Sequence, residues 1–190
     1  IYIIISLILI FNYVAFPDIF PSDYFNTEYN DGDYHIIMGS DVYGPIGVDD
    51  GYPGSGTQLD LYGAPKLGPI SELPAAILAS CGSSTVNVYD WNLGIFDFVS
   101  AYENSTLTFH SGFCAVLKAY DESHVELAGG DIEGFRGYGN SSLAMSGGHA
   151  FDILLYDSSN LVMTGGHTAW IETSGNSHVE IWGGTFGYDM

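Results

Sequence analysis

Apolar and polar residues alternate along the second half of the chain in a pattern that recurs at a fixed interval. Five units share this pattern, and each begins with a serine. These serines are Ser105, Ser123, Ser141, Ser159 and Ser177. The third and fifth residues of each unit are apolar, as in Leu143 and Met145, and the residues between them are mostly polar or small. Alternation with a period of two predicts a strand with one buried face.

A double glycine follows the first predicted strand of most units. The four complete pairs are Gly129 and Gly130, Gly147 and Gly148, Gly165 and Gly166, and Gly183 and Gly184. Glycine can adopt a positive φ and allows another backbone to approach closely, so these pairs predict a sharp corner. Each unit closes with Gly or Asp and then, usually, Asn or Ser, which predicts a turn.

A unit this short cannot bury its apolar face alone, but it can do so when it is stacked on its copies. We therefore predict an all-β, single-stranded parallel β-helix with about 18 residues per coil and strands about 4.8 Å apart. A right-handed helix is preferred, because the left-handed hexapeptide form needs an aliphatic residue every six positions and fits this spacing poorly.

Three regions are predicted along the chain. The parallel β-helix occupies residues 57–190, with looser coils before residue 105. Residues 17–56 are rich in Asp, Tyr, Gly and Pro, which predicts loops or a cap, with HIIMG from His35 as a degenerate first strand. Residues 1–16 are hydrophobic and rich in Ile, which favours a strand.

The hydrophobic segment 1–16 has two further interpretations, a membrane or signal remnant and a buried helix. It is shorter than the roughly 20 apolar residues of a membrane helix, and it lacks the basic start and cleavage site of a signal peptide. As a strand, it would offer one apolar face for assembly with a neighbouring subunit. That face consists of Ile1, Ile3, Ile5, Leu7, Leu9 and Phe11.

The charge of the chain is strongly negative, with 23 acidic residues, 3 basic residues and a net charge of −20. This charge argues against nucleic acid as a partner and against an anionic membrane surface. We expect no membrane insertion of the β-helix, and the scarcity of Lys and Arg favours an extracellular location. The two cysteines, Cys81 and Cys114, are too few for a disulfide framework and leave both a single bridge and two buried thiols open.

Two groups of residues are candidate metal ligands, although no cofactor is certain. Asp31, Asp33, Asp49 and Asp50 lie near glycines in the acidic region and suit Ca²⁺, but no complete EF-hand pattern is present. Asp131, His149 and His167 occupy one column of the repeat and form a weaker candidate site for Zn²⁺ or a similar ion. For both groups the alternative is a solvated polar surface.

Two sequons, at Asn104 and Asn140, predict N-linked glycans at one exposed corner. Tyr120, Tyr138 and Tyr156 share another column, where they either bind a sugar or pack against one another. Paired carboxylates for a glycosidase are present, but the short coils lack long loops to form a cleft. We therefore do not expect an enzyme.

The repeat SxhxhxGG (h, apolar) resembles the coils of extracellular β-helix proteins such as adhesins and autotransporter passenger domains. The resemblance is clear over residues 105–190 and implies surface display, adhesion or assembly. We expect a structural subunit of an extracellular fibre that polymerises head to tail through segment 1–16 and the open end of the β-helix. The alternatives are a monomeric adhesin or carbohydrate-binding solenoid, and a fragment whose following coils cover that end.

Overall fold

The computed structural model describes residues 27–38, 46–49, 56–63, 77–92 and 98–187. Within these ranges the regular structure consists of strands, and every strand pair is parallel. The strands are β1 (Thr27–Tyr29), β2 (Tyr34–Met38), β3 (Ile46–Val48), β4 (Gln58–Tyr62), β5 (Ile77–Ser80), β6 (Thr85–Tyr89), β7 (Trp91–Asn92), β8 (Phe98–Ala101), β9 (Thr106–Phe109), β10 (Gly112–Ala119), β11 (His124–Leu127), β12 (Asp131–Gly137), β13 (Ser142–Met145), β14 (His149–Leu155), β15 (Asn160–Met163), β16 (His167–Thr173), β17 (His178–Ile181) and β18 (Thr185–Phe186).

The strands form two sheets, and each regular coil contributes one strand to each sheet. The ten-stranded sheet has the order β1-β3-β5-β8-β10-β12-β14-β16-β18, with β7 also paired to β10. The eight-stranded sheet has the order β17-β15-β13-β11-β9-β6-β4-β2. From β9 onwards the register partners in this sheet are one repeat unit apart, as in His124 with Ser142. The predicted all-β parallel solenoid with about 18 residues per turn is confirmed, and its right-handed sense stays a prediction.

The core lies between the two sheets and is built from the predicted columns. Leu107, Val125, Leu143 and Leu161, at the third position of their units, are each at most 1% exposed. Phe135 and Ile153, after the glycines, are fully buried from the other sheet. Ladders of equivalent apolar side chains therefore run along the solenoid and exclude water.

The double glycines make the first corner of each coil, and the two glycines have different tasks. The second glycine of each pair has a positive φ, for example 71° at Gly148. The first glycine has an ordinary φ, but a Cβ at Gly147 would collide with the carbonyl oxygen of Ala128 in the preceding coil. The corner predicted from the sequence is thus explained by conformation at one position and by close approach at the other.

A buried hydroxyl stands at the second corner of each coil. Ser123 is fully buried. Its Oγ accepts a hydrogen bond from the backbone N–H of Tyr120 at 3.0 Å and donates to the carbonyl oxygen of Ala101 at 3.2 Å. In the units that begin at Ser105, Ser123 and Ser159 the hydroxyl bonds to a backbone group of its own turn and to the preceding coil, which explains why the serine recurs.

At the second corner, the residue two positions before the serine that opens the next unit has a left-handed backbone. This residue is Glu103, Asp121, Gly139, Asp157 or Gly175, with φ between 58° and 71°. Where it is acidic, its carboxylate can accept a backbone N–H of a neighbouring coil. The N–H of Gly82 donates to Glu103 at 2.7 Å, and that of Gly139 donates to Asp157 at 3.1 Å.

Strands β1, β2 and β3 lie within residues 17–56, where the sequence predicts loops or a cap. The predicted strand at HIIMG is present as β2, and it pairs with β4. Its alternation differs from that of the regular coils, because the outward side chains Tyr34, Ile36 and Met38 are apolar and more than half exposed. The two sheets thus continue towards the amino terminus with a more apolar outer surface.

Candidate functional site

The outer face of the ten-stranded sheet carries a groove of about 490 Å³ across β10, β12 and β14. Apolar side chains supply part of its lining, namely Phe113, Val116 and Phe151. Charged and titratable side chains also line it, namely Asp131, Glu133, Arg136, His149 and Asp152, and Ala115, Ile132 and Gly134 complete the lining. This mixture of an apolar wall and convergent polar groups is typical of small-molecule binding sites.

A bidentate ion pair crosses the groove. Arg136 Nη1 donates to Asp152 Oδ1 at 2.6 Å and Nη2 donates to Oδ2 at 3.0 Å. Nη1 also donates to the carbonyl oxygen of Phe135 at 2.8 Å. The two side chains are 23% and 26% exposed. The pair is therefore held in one geometry by three hydrogen bonds.

Gly134 leaves the space for this ion pair. It occupies the outward position between Val116 and Asp152 in the register of the sheet. A Cβ at residue 134 would collide with Asp152 Oδ1 and come within 2.6 Å of Arg136 Nη1. A glycine inside a strand often marks a place of close approach, and here it lets the ion pair lie against the backbone.

The basic side chains of the described residues lie together on this face. Lys118 and Arg136 are register partners on adjacent strands. The ammonium of Lys118 lies 4.6 Å from the centre of the Phe98 ring. Burial, and then the positive charge of Arg136, lower the pKa of Lys118. In a chain with a net charge of −20, this face thus holds the Lys and Arg side chains of the described part.

Asp131, His149 and His167 lie in one column, as the sequence predicts, and the first two of them line the groove. His149 Nδ1 is 4.0 Å from Asp131 Oδ1, and the rings of His149 and His167 are 5.0 Å apart with a tilt of 32°. His167 Nδ1 is instead 2.7 Å from the hydroxyl of Thr185. Among the described residues no group of three His, Cys, Asp or Glu side chains has the geometry to hold a metal ion.

The candidate calcium ligands are only partly within the described ranges, since Asp50 lies outside them. Asp31 accepts the N–H of Asp33 at 3.0 Å and contacts His35 Nε2 at 2.9 Å. These contacts lower the pKa of Asp31. Asp49 is buried, and its carboxylate accepts the N–H of Thr57 at 3.0 Å. The carboxylates of Asp31 and Asp49 thus have partners within the protein that organise the early coils.

Stacked tyrosines extend further than the sequence predicts. The column of Tyr120, Tyr138 and Tyr156 also includes Tyr102, and successive ring centres are 4.8, 5.0 and 5.0 Å apart. The rings are half-buried at the second corner, and burial raises the pKa of Tyr120 and of Tyr138. The signal that reveals Tyr102 is its position one repeat unit before Tyr120. Packing between coils accounts for this ladder.

A second aromatic stack lies on the outer face of the eight-stranded sheet. The rings of Tyr62 and Tyr89 are 4.7 Å apart, and those of Tyr89 and His110 are 4.3 Å apart. Sequence reasoning misses this stack because the three coils concerned differ in length.

The remaining predicted residues fall into two groups. Asn104 and Asn140 are exposed at the second corner, two coils apart, which is the placement that glycosylation needs. The predicted assembly residues lie outside the described residues. They are Ile1, Ile3, Ile5, Leu7, Leu9 and Phe11.

Comparison with known proteins gives no relative, since the chain matches no protein-family model, no curated protein and no solved structure. The resemblance to adhesins and autotransporter passenger domains is therefore shown only as a shared solenoid architecture. In the described part of the chain, no helix is long and apolar enough to span a membrane.

Proposed function

We propose that this chain is a structural subunit of an extracellular fibre or surface assembly whose copies join head to tail. The position of exposed apolar side chains carries the proposal. Ten large apolar side chains are exposed among the described residues, and seven of them lie in the first two coils or the last coil. Exposed apolar surface of this kind is typical of protein interfaces.

The last described coil supplies one of these surfaces. Met163 is 1% exposed, while its register partner Ile181 on β17 is 53% exposed. Trp182 and Phe186 beside it are 78% and 62% exposed. Met163 is covered by β17, and among the described residues no coil covers Ile181. In the proposal, a coil of a second copy stacks on β17 and β18 and buries this surface.

The first coils supply the other surface, through Tyr34, Ile36 and Met38 on β2. These side chains face outward from the sheet, so the two apolar surfaces differ in kind, which favours a heterologous contact, and such contacts build open filaments. Edge strands of parallel sheets also provide backbone groups that a neighbouring strand can pair with. In the proposal, segment 1–16 contributes to this contact.

The extracellular location in the proposal rests on composition and on the sequons. Three basic residues in 190 are few for an intracellular protein. Asn104 and Asn140 are exposed at a turn, where a glycan would project from one edge of the solenoid.

Electron microscopy of the full chain at increasing concentration tests this proposal, with two matched variants. Ile181→Lys places a charge on the proposed contact surface. Phe151→Lys makes the same change at a side chain that is 52% exposed in the middle of the solenoid. We expect filaments for the unaltered chain and for Phe151→Lys, and monomers for Ile181→Lys. Monomers of the unaltered chain at high concentration, or equal filaments from all three proteins, would contradict the proposal.

A further inference from the structure

The groove on the ten-stranded sheet has a ligand chemistry of its own, which does not depend on assembly. We propose that it binds a neutral saccharide. Its volume of about 490 Å³ lies within the range of about 300 to 1,000 Å³ that is usual for small-molecule sites. It lies in the middle of the solenoid, away from both proposed contact surfaces.

The apolar part of the groove suits the C–H face of a sugar ring. Phe151 is 52% exposed and Phe113 lies two strands away on the same wall. Trp170, the register partner of Asp152, does not line the groove but is 48% exposed on the next strand, where a longer saccharide would reach it. Aromatic rings combine a large apolar surface with little conformational freedom, so they bind flat apolar faces at a low entropic cost.

The polar part suits hydroxyl groups, which both donate and accept hydrogen bonds. The guanidinium of Arg136 has five N–H donors and the carboxylate of Asp152 has about four acceptor sites. Their mutual ion pair uses two of each, and a third N–H donates to the carbonyl oxygen of Phe135. Two donors of Arg136 and about two acceptor sites of Asp152 are left for hydroxyl groups of a ligand, and the ion pair holds both side chains in one geometry. Such preorganisation lowers the free energy cost of binding.

Charge and polarity disfavour the other ligand classes. Asp131, Glu133 and Asp152 give the lining three carboxylates against one guanidinium, and the chain carries −20 overall, so an anionic ligand is repelled. A wholly apolar ligand would bury these polar groups without partners. An amine would be attracted by Asp131 and Glu133, but it would have to compete with Arg136 for Asp152 and would not use the aromatic wall, so a cationic probe is part of the test. A neutral, hydroxyl-rich ligand uses both parts of the groove.

Isothermal titration calorimetry of the full chain tests this inference. The neutral probes are cellotriose, laminaritriose, maltotriose and mannotriose, and the charged probes are trigalacturonate and spermidine. Phe151→Ala removes the aromatic wall, and Gly134→Ala fills the space beneath the ion pair. Val162→Ala is the control, because Val162 is 39% exposed on the eight-stranded sheet and lies outside the groove.

We expect a neutral trisaccharide to bind, with affinity reduced about tenfold by Phe151→Ala and by Gly134→Ala, and unchanged within about twofold by Val162→Ala. Circular dichroism checks the fold of each variant, and Phe151→Ala decides the result if Gly134→Ala does not fold. Three outcomes would overturn the inference: no neutral probe binds at millimolar concentration, a charged probe binds more tightly than every neutral one, or Phe151→Ala binds as well as the unaltered chain. Filament formation is measured separately, so this result and that of the assembly test are independent.

Discussion

The late coils and the early coils of the solenoid belong to the same two sheets but contain different numbers of residues. In the late coils, register partners of the eight-stranded sheet are always one repeat unit apart, as in His124 and Ser142. In the early coils, Tyr34 pairs with Gln58 and Gln58 pairs with Thr85, so each of these coils contains more residues than a late one. The described strands keep their register although the number of residues between them differs, so the sheets continue through coils of different length.

The corners differ because the late coils use the double glycine. There the first glycine lies against the backbone of the preceding coil, so the corner has no room for insertions or side chains. In the early coils Gly63 has a positive φ of 76°, but a Cβ at this position would meet no atom of the described residues within 4 Å. Its N–H donates to the carbonyl oxygen of Tyr89 in the next coil at 2.7 Å. The late corners are thus closely packed against the preceding coil, whereas Gly63 is linked to its neighbouring coil by a hydrogen bond and leaves room for a Cβ.

The largest effect that separates the two regions is expected from Gly147→Ala and Gly63→Ala. Alanine at residue 147 collides with the carbonyl oxygen of Ala128, so we expect the free energy of unfolding to fall by about 3 kcal/mol. Alanine at residue 63 meets only the cost of a left-handed backbone, about 1 kcal/mol. Urea denaturation followed by circular dichroism measures both. Equal losses would mean that the close approach at the late corner costs nothing.

The buried hydroxyl is common to both regions, and its removal tests what the coils share. Ser141→Ala removes the hydroxyl that accepts from the N–H of Tyr138, which keeps its bond to the carbonyl oxygen of Ala119, and Thr57→Val removes the hydroxyl that accepts from the N–H of Gly32. We expect each variant to lose about 1 kcal/mol of unfolding free energy, because each loses one hydrogen bond of the side-chain hydroxyl. Ser146→Ala, at an exposed serine, is the control and should change stability by less than about 0.5 kcal/mol.

A pH-dependent effect is expected from the tyrosine ladder of the late coils. Burial raises the pKa of Tyr120 above its ordinary value, so the folded protein keeps this proton when the unfolded chain loses it. The resulting stability is present below about pH 10 and is lost as the pH rises further. Urea midpoints at pH 8 and pH 11 should therefore differ less for Tyr120→Phe than for the unaltered chain. If the urea midpoint falls equally in both proteins between pH 8 and pH 11, Tyr120 does not cause the loss of stability at alkaline pH.

The smallest effect is expected at the second corner, where acidic residues and glycine alternate. Asp157 has a φ of 58° and accepts the N–H of Gly139. Asp157→Gly loses this hydrogen bond but relieves the left-handed strain, so the two effects offset each other to within about 0.5 kcal/mol. A loss of unfolding free energy as large as that of Gly147→Ala would show that the first and second corners of a coil are equally sensitive to substitution.

The sequence predicts the late coils well because the residues that define each coil lie within one repeat unit. A single repeat unit contains its strands, its buried positions and its corner glycines, so the repeat alone places Leu143 in the core and Gly148 at a corner. The early strands are harder to predict, since their coils differ in length and no fixed period aligns them. The outward apolar residues of β2 also reverse the usual alternation.

The candidate site is harder still, because it depends on neighbours across three strands. The sequence identifies Asp131, Glu133 and Asp152 as carboxylates but predicts no cleft, on the ground that long loops are absent. The groove arises instead from Gly134, which makes room for the ion pair of Arg136 with Asp152. A glycine at an outward strand position is the signal that could have revealed it. Likewise, the reason why the serines recur is visible only in the hydrogen bonds between coils.

Spin labels on the eight-stranded sheet test most directly whether both regions stack in register. One pair replaces Glu126 and Ala144, which one late coil separates, and another replaces Asp60 and Asn87, which a longer early coil separates. Both pairs are register partners, so continuous-wave electron paramagnetic resonance should give equally strong spin–spin broadening, as expected for strands about 4.8 Å apart. A control pair at Asn87 and Glu126, two strands apart, should broaden less. Lines for the Asp60 and Asn87 pair that match those of single labels would contradict the claim that the early coils continue the solenoid.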